Sequence, residues 1–337
     1  MSKRLLANAI VLLLLVAAGG ALYYRWGLQP ADPTGQTRLI FVPQGEGIWA
    51  IASVLRQERI IRSAPVFYVA YRFYMRGGEA GKLPASYFDL SPAASVPTII
   101  HTRLRQPAVR RITFPEGFTL EQMADRLAAS DLLISRQAFM EAARTDTVKD
   151  LISFSFKTES LEGYLFPDTY EFAVGASAHE VLSAMVTNFE LKVVESHQAQ
   201  IANSPYSLHE LVTIASLIER EAKLDQDRRL IASVIYNRLR RGMRLQIDAT
   251  VQYALPERKA RLLHSDLRVK SPYNTYLHAG LPPGPICNPG LACLKAALDP
   301  AQSDHLYYVV GADGAHIFSK TYAEHLLAIG KARRTRR

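Results

Sequence analysis

Cysteine is scarce in this 337-residue sequence, which contains only Cys287 and Cys293. Two cysteines cannot form a disulfide framework, so the fold must rest on hydrophobic cores. The hydrophobic fraction of 48% is ample for packed domains and excludes a largely disordered chain. Outside the cytoplasm the two thiols could pair, and the alternative of two free, small apolar side chains stays open.

Several common catalytic motifs are also absent. His179-Glu180 and His209-Glu210 begin like a zinc-protease motif, but neither has a second histidine at the required spacing. The sequence has no phosphate-binding loop and no Gly-x-Ser-x-Gly nucleophile turn. These absences leave metalloprotease, nucleotide-binding and serine-hydrolase functions without support.

Acidic residues are fewer than basic ones, 31 against 40, and the formal net charge is +9. Five of the positive charges lie in a basic tail at residues 331–337. Such a tail can bind nucleic acid, but an exported chain meets none in ordinary work, so no nucleic-acid partner is expected. Anionic lipid headgroups or an acidic wall polymer are better candidates, and a merely solvated tail is the simplest alternative.

The N-terminus carries a long uncharged run. Residues 5–24 contain no charged side chain, and about 20 apolar residues suffice for a helix to cross a bilayer. Because basic residues precede the run, the positive-inside rule predicts residues 1–4 in the cytoplasm and the rest of the chain in the periplasm. The expected location is therefore the cytoplasmic (inner) membrane, in a single pass.

A cleaved signal peptide is the alternative to this anchor, because small residues occur near the end of the run. The run is long for a signal peptide, and Tyr23, Tyr24 and Trp26 are typical of an interfacial aromatic belt. Residues 25–37 are rich in proline, glycine and polar side chains and are predicted to form a linker.

An internal repeat follows the linker. "RLIFVPQGEGIWAIASVLRQERII" begins at residue 38, and "RRITFPEGFTLEQMADRLAASDLL" begins 72 residues later at residue 110. Each copy predicts a strand, a Pro-x-Gly turn and a helix. The pattern resembles the LysM module, a small wall-glycan binding unit, and residues 38–110 are predicted to form a LysM-like α/β subdomain. The alternative is a generic strand-turn-helix in which Thr119 caps the second helix.

The predicted secondary structure is different in the rest of the chain, where long helices predominate. Amphipathic helices are predicted over residues 178–200, 208–223 and 227–241, followed by a segment rich in proline, glycine and tyrosine and by a hairpin. The predicted fold class is therefore α+β: an N-terminal transmembrane helix, the LysM-like subdomain, and a mixed helical and β catalytic domain over residues 111–330.

Two glutamates lie within the apolar stretch "ASLIEREAKLDQ". On a helical wheel Glu219 and Glu221 fall on opposite shoulders of the stripe, so periodicity does not choose between them. Small neighbours at Ala215, Ser216 and Ala222 predict a hollow beside Glu219, where a half-buried carboxyl would have a raised pKa and serve as a general acid. The alternative is a surface ion pair with Lys223.

The surrounding segments carry a family resemblance. "TIASLIEREAKLDQDRRLIASVIYNRLRRGMRLQIDATVQYAL", "LEGYLFPDTYEF", "SPYNTYLHAGLPPGPICNPG" and "LYYVVGADGAHIFSKTYAEH" resemble motifs of the endolytic murein transglycosylase (YceG-like) family. The resemblance covers residues 1–330. One departure is Ala249, where proline is frequent in the family.

The resemblance implies a catalytic role for Glu219 and neither a cofactor nor a metal ion. It also implies substrate-binding positions near the same cleft: Gln246, Asp248, Thr250, Tyr273, Asn274, Thr275, Tyr276, Glu162, Asp168 and Tyr170. For the tyrosines, core packing is the alternative to contact with sugar rings. Glu162 and Asp168 could equally cap the loop beside the cleft.

The implied reaction is cleavage of the β-1,4 bond between N-acetylmuramic acid and N-acetylglucosamine without water, which leaves 1,6-anhydro ends and trims or terminates nascent strands. The implied partners are peptidoglycan strands, inner-membrane lipid and peptidoglycan synthases. Two alternatives remain: a hydrolytic muramidase with Asp248 as second carboxylate, since water-dependent glycosidases use two, and a non-catalytic anchor that binds the wall through its repeats.

Overall fold

The computed structural model describes residues 3–43, 47–75, 85–144 and 160–335. Gly45 of the first repeat and the last two residues of the basic tail lie outside these ranges. Within them the chain mixes helices with small sheets, and each sheet pairs two strands. In chain order the elements are α1 (Lys3–Leu28), β1 (Arg38–Val42), α2 (Ile48–Gln57), α3 (Ala64–Tyr74), β2 (Ser86–Leu90), α4 (Val96–His101), β3 (Val109–Thr113), α5 (Leu120–Ala128), α6 (Arg136–Ala142), β4 (Thr169–Ala173), α7 (Ala178–Phe189), α8 (Gln198–Ala202), α9 (Leu208–Glu221), α10 (Arg228–Arg240), α11 (Asp248–Ala254), α12 (Leu291–Leu298), β5 (Tyr307–Val310), β6 (His316–Ser319) and α13 (Tyr322–Thr335).

The helix α1 is long and apolar enough to span a membrane. An 18-residue window within Arg4–Leu28 has a mean hydropathy of 2.5, and the apolar side chains of the helix are exposed. The helix continues beyond the predicted linker start at residue 25, because Tyr24 and Leu28 pack against a protein core. Tyr23 shares a hydrogen bond of 2.8 Å with Ser63, which fixes the end of α1 to the start of α3.

The chain forms two compact units, residues 1–110 with 171–175 and residues 111–170 with 176–337. In the first unit β1 and β2 pair antiparallel, with Ile40 opposite Phe88. Phe88, Leu55 and Phe67 are fully buried between this sheet and the helices α2 and α3. Apolar burial of this kind holds a small α/β unit together without disulfides.

In the second unit the core forms around α9. Its residues from Leu211 to Ile218 are all buried, and α9 packs against α10, α11 and α12. A helix that is buried almost all round needs firm ends. Ser207 and Glu210 supply a capping box at the N-terminus, where each side chain accepts a hydrogen bond from the other residue's backbone N–H.

Both copies of the repeat form a strand and a helix, β1 with α2 and β3 with α5. The matched positions Ala52 and Ala124 are fully buried, as are Leu55 and Leu127. Thr119 caps α5 in a capping box with Gln122, as the sequence predicts, whereas α2 begins after Gly47 without a side-chain cap.

The observed helices differ from the predicted ones in several places, and α11 and α12 lie in the segment predicted only as rich in proline, glycine and tyrosine. The helix predicted over residues 178–200 ends as α7 at Phe189, continues as the π-helical segment Glu190–Glu195, and breaks at His197, whose φ is −129°. The helix α3 was not predicted, because its valine, phenylalanine and tyrosine residues favour strands. The helix α13 was not predicted either, and it extends into the basic tail as far as Thr335.

Candidate active site

The two glutamates of α9 are both half-buried at the C-terminal end of the helix, but they have different surroundings. An Oε2 oxygen of Glu219 accepts a hydrogen bond of 2.9 Å from the backbone N–H of Gly290. Cys293 forms a hydrogen bond with the same carboxyl group. The backbone of Gly117, at a φ of +77°, packs so closely that an added Cβ would lie 3.4 Å from the Glu219 Cγ.

The hollow predicted beside Glu219 is filled by a later part of the chain. Ser216, one of its small neighbours, accepts a hydrogen bond of 3.1 Å from the backbone N–H of Ile286. The Cys287 thiol donates to the carbonyl of Ser216. Residues 286–293 therefore occupy the space that the small side chains of α9 leave, and Glu219 serves there as an acceptor that ties this segment to the helix.

A further carboxyl group, Glu116, lies close to Glu219. Burial and, next, the negative charge of Glu219 raise the pKa of Glu116 above its ordinary value. An added Cβ at Gly290 would lie 2.0 Å from the Glu116 carboxyl carbon, so Gly290 is needed for this close approach. Both thiols in this region, Cys287 and Cys293, are free and buried.

Glu221 has a different environment. Burial raises its pKa to about 7, and the charge of Asp248 contributes in the same direction, while a hydrogen bond from Tyr308 opposes the shift. At neutral pH this carboxyl group is therefore partly protonated, which is the condition for a general acid that later acts as a base. In turn, burial and the Glu221 charge raise the pKa of the Tyr308 hydroxyl, so that hydroxyl remains a donor.

Glu221 also lines a cavity of about 370 Å³. The cavity is walled by side chains of α9, α10, the loop before α11, the start of α11, the segment between α11 and α12, the terminal hairpin and α13: Glu221, Val234, Ile235, Arg238, Leu245, Gln246, Ile247, Asp248, Tyr276, Tyr307, Tyr308, Tyr322 and His325. Gln246, Asp248 and Tyr276, predicted as substrate-binding residues, line the same cavity as Glu221. The structure thus brings three of the predicted residues to Glu221.

Two buried threonines hold the loop that carries Gln246 and leads into α11 at Asp248. Gln246 has a φ of +52°, a conformation that a residue other than glycine adopts only when its surroundings impose it. Thr275 accepts from the backbone N–H of Gln246 through its carbonyl and from that of Ile247 through its Oγ1, at 3.2 and 3.0 Å. Thr250 bonds to the same Oγ1 at 2.9 Å. Thr250 and Thr275 therefore shape the loop from within the core.

The neighbouring residues of the "YNTY" segment divide between loop and cavity. Tyr276 donates a hydrogen bond of 2.5 Å to Asp248 inside the cavity. Asn274 is buried, and its amide donates to the carbonyls of Leu267 and Val269 at 3.0 and 2.9 Å, which holds the loop. Tyr273 packs its ring against another aromatic ring, that of Tyr253, with centroids 4.9 Å apart.

Glu162 faces a second cavity, of about 490 Å³, whose lining also includes Tyr253. Its buried carboxyl group accepts hydrogen bonds from the backbone N–H of Leu120, at the start of α5, and from the amide of Asn288. Burial raises the pKa of Glu162 to about 8, although the Leu120 hydrogen bond opposes the shift. This carboxyl group joins α5 to the segment that contains Asn288.

Asp168 and Tyr170 take part in a different network. Asp168 pairs with Lys192 at 2.6 Å, and the Lys192 hydrogen bond is the main cause of its lowered pKa. Tyr170 donates to the carbonyl of Phe166 at 2.6 Å and accepts from the amide of Asn188. Neither residue lines the cavity at Glu221.

Sequence reasoning missed the aromatic wall of the cavity. Tyr307, Tyr308, Tyr322 and His325 come from the hairpin and α13, in a segment for which the sequence predicts no binding residue. The signal available was the density of aromatic side chains in "LYYVVGADGAHIFSKTYAEH". In residues 3–43, 47–75, 85–144 and 160–335, no group of three or more His, Cys, Asp or Glu side chains is placed to hold a metal ion.

The profile of the YceG-like family matches residues 40–331. The chain belongs to the YceG-like family. It is similar to the endolytic murein transglycosylase of Bacillus subtilis strain 168, with 36% identity over 92% of this chain and 89% of that protein. It is also similar to the endolytic murein transglycosylase of Streptococcus pneumoniae strain D39, with 27% identity over 96% of this chain and 64% of the relative.

A solved structure agrees with this YceG-like assignment. The crystal structure of a yceG-like protein from Listeria monocytogenes aligns with a TM-score of 0.60 at 35% identity, over 88% of this chain and all of that chain.

Proposed function

We propose that this chain is a membrane-anchored lytic transglycosylase that cleaves peptidoglycan strands at the β-1,4 bond between N-acetylmuramic acid and N-acetylglucosamine. The names of its relatives support the reaction class and the substrate. The observation that carries the assignment of the acid is the cavity that a partly protonated Glu221 lines together with Asp248, Gln246 and Tyr276.

In this mechanism a single carboxyl group does both proton transfers. Glu221 donates its proton to the bridging oxygen as the bond from that oxygen to C1 of the muramic acid breaks. The Glu221 carboxylate then removes the proton from the 6-hydroxyl of the same sugar while O6 bonds to C1. The products are a 1,6-anhydro end and a free 4-hydroxyl, and Glu221 regains its proton, so the atoms balance without water.

One acid can suffice because the nucleophile belongs to the substrate. Intramolecular attack by a well-placed group has an effective molarity on the order of 10⁵ M or more. Asp248, held by Tyr276, would stabilise the positive charge that develops at C1 and O5, and its charge raises the pKa of Glu221. Tyr308 would donate to the Glu221 carboxylate after it has lost its proton.

This proposal moves the acid from the predicted Glu219 to Glu221. Glu219 accepts the Gly290 N–H and packs against Gly117, and it is not among the side chains that line the cavity. Gln246, Asp248 and Tyr276, which the family resemblance associates with the catalytic cleft, accompany Glu221 instead. Glu219 remains the alternative acid, and paired substitutions separate the two.

The experiment that tests the reaction is mass spectrometry of products released from purified sacculi by the full-length protein in ¹⁸O-labelled water. We expect 1,6-anhydro muramic acid ends without label. Reducing ends that carry ¹⁸O would instead indicate a hydrolytic muramidase. That second candidate is favoured by one observation, the position of Asp248 beside Glu221, because hydrolytic glycosidases use two carboxyl groups.

The membrane anchor and its orientation also belong to the proposal. The apolar α1 and the basic residues before it support a single span of the cytoplasmic membrane, with the N-terminus in the cytoplasm and the catalytic unit in the periplasm. In that compartment the chain would meet nascent strands and the synthases that make them. N-terminal sequencing of the mature protein tests the anchor, since a start beyond residue 17 would indicate a cleaved signal peptide.

We also propose that the LysM-like unit retains glycan without cutting it. Supporting this, the helix α2 that follows the first repeat strand exposes Trp49, whose ring contacts Tyr68 at 5.6 Å on the same unit. Exposed aromatic side chains of this kind commonly mark binding surfaces. Trp49→Ala is expected to weaken co-sedimentation with insoluble peptidoglycan, and unchanged sedimentation would reduce the unit to a spacer.

A further inference from the structure

Three side chains of the aromatic wall, Tyr307, Tyr322 and His325, have no part in the proton transfers. Tyr307 of β5 is covered by its neighbours: the Arg238 guanidinium lies 5.1 Å from its centroid, and the His325 ring stacks on it at 5.2 Å and 22°. Arg238 is itself held, because its guanidinium donates to the carbonyls of Leu306 and Leu245 at 2.6 and 2.8 Å. Tyr307 is therefore a fixed support rather than a free surface.

The Tyr322 ring packs against Tyr307 and remains exposed to solvent. Its ring contacts Tyr307 at 5.8 Å and 54°, yet the residue is 60% exposed while lining the cavity. Tyr322 is the first residue of α13. Glu324 fixes this helix start by accepting hydrogen bonds from the backbone N–H groups of Lys320 and Thr321 at 2.8 and 3.2 Å. The ring is thus presented at the cavity rim by a capped helix end.

The size of the cavity indicates which part of a glycan strand would contact the Tyr322 ring. A volume of about 370 Å³ lies at the small end of the range of roughly 300–1,000 Å³ for ligand sites. A glycan strand is much longer than such a cavity, so sugar units beyond the scissile bond must lie over the rim. The apolar C–H face of a pyranose suits an exposed aromatic face, and the hydroxyl of a tyrosine can bond to the sugar's polar groups.

We propose that Tyr322, supported by Tyr307 and His325, is the stacking platform of a saccharide subsite that binds an N-acetylhexosamine unit next to the bond cleaved at Glu221. The inference rests on the proposed function and names a recognition residue for it. A rigid aromatic platform contributes affinity at little entropic cost, because its position is already set before the strand binds.

The neighbouring exposed leucines provide the competing explanation. Leu326 and Leu327 are 51% and 76% exposed on the same helix, ahead of the basic tail, and a lipid surface could cover such a helix face. Neither leucine lines the cavity, whereas Tyr322 does. That difference favours the glycan for Tyr322 and makes Leu327 a matched control on the same helix.

The test measures binding separately from cleavage. In a Glu221→Gln background, calorimetric titration with soluble, uncrosslinked glycan strands is expected to show about a tenfold weaker affinity for Tyr322→Ala, because the aromatic face is lost. Tyr322→Phe keeps the ring and should stay within about threefold of its parent, and Leu327→Ala should match the parent. In the otherwise wild-type chain, Tyr322→Ala should raise KM about tenfold with little change in kcat.

Three outcomes would contradict the proposal that Tyr322 is a stacking platform. The first is unchanged affinity in Tyr322→Ala, and the second is an equal loss of affinity in Leu327→Ala, which would indicate a general apolar or lipid-facing surface. The third is a Glu221→Gln parent that binds no strands although its thermal melt is intact. Failure of the proposed function is seen elsewhere, as wild-type protein that yields no anhydro ends. A chain that binds strands through Tyr322 without cutting them would therefore keep the platform and reject the enzyme.

Discussion

Glu219 and Glu221 lie two residues apart at the end of one helix, and the molecule treats them differently. The first faces a glycine-rich segment, where a backbone N–H and a thiol occupy its carboxyl group. The second faces a tyrosine hydroxyl, a carboxylate and a cavity. An acceptor with committed protein partners holds the fold together, whereas a carboxyl group beside open space can exchange protons with a ligand.

The comparison shows that small neighbours in the sequence do not by themselves indicate an open space in the fold. Small side chains on α9 do leave room beside Glu219, but close packing means that room is seldom left empty. Residues 286–293 fill it, with Cys293 and Gly290 in contact with the carboxyl group. Glu221, on the bulkier side of the helix, borders the cavity together with the hairpin residue Tyr308 and with Asp248 at the start of α11.

Asp248→Asn is expected to have the largest effect among the neighbours of Glu221. The amide keeps the size and the contact with Tyr276, but it no longer stabilises positive charge, and cleavage should fall by about 10²-fold, the size of effect usual for one electrostatic partner. Because the Asp248 charge raises the pKa of Glu221, the alkaline limb of the pH–rate profile should also move to lower pH. If Asp248→Asn lowered the rate but left the alkaline limb at the wild-type pH, Asp248 would not influence the pKa of Glu221.

Glu162→Gln should alter stability rather than cleavage. The pKa of Glu162 is raised from 4.5 to about 8 in the folded state, so its contribution is fully present below pH 4.5 and is lost as the pH rises through about 8. The wild type should lose up to about 1.4 kcal/mol of unfolding free energy per pH unit in this window from this group. Urea titrations at several pH values should show that the unfolding free energy depends less steeply on pH in the variant than in the wild type.

The control for that slope is Glu121→Gln, because the Glu121 side chain borders the same second cavity but is 70% exposed. The Glu121 charge is the smallest of the contributions to the raised pKa of Glu162, so its removal should make the pH dependence of unfolding only slightly shallower than in the wild type. Equal slopes in the wild type and Glu162→Gln would mean that the Glu162 carboxyl group titrates normally in the folded protein.

Tyr308→Phe is expected to give the smallest change. Its hydroxyl lowers the pKa of Glu221 by donating to the carboxylate, so its loss should move the alkaline limb to higher pH, opposite to Asp248→Asn. At the acidic plateau Glu221 is protonated, so the hydrogen bond that is lost there joins two neutral groups. The rate should therefore fall only a few-fold, in line with about 1 kcal/mol for one such bond. Limbs that shift in the same direction in both variants would indicate that another group titrates.

Part of this architecture follows from local sequence. The helices predicted over residues 208–223 and 227–241 are observed as Leu208–Glu221 and Arg228–Arg240, and the terminal hairpin forms as β5 and β6. These elements are readable because their apolar periodicity and, for α9, the capping box at Ser207 act over a few residues. Their positions along the chain need no knowledge of distant partners.

The choice between the two carboxyl groups does not follow in the same way. It depends on contacts from Gly290 and Tyr308, which lie 71 and 87 residues from their glutamates in sequence. The aromatic wall is hidden for a related reason, because Tyr322 acquires a role only when α13 folds back beside β5. Long-range packing of this kind leaves no periodic signal in one sequence.

The most direct test of the account compares Glu221→Gln with Glu219→Gln by the initial rate at which 1,6-anhydro ends are released from purified sacculi. The amide in Glu221→Gln cannot deliver a proton, so the rate should fall by about 10²- to 10⁴-fold. Glu219→Gln should stay within about threefold of the wild type, with a melting temperature lowered by its weakened bond to Gly290. Loss of activity in Glu219→Gln with retention in Glu221→Gln, both variants being folded, would contradict the account and return the acid to the other shoulder of the helix.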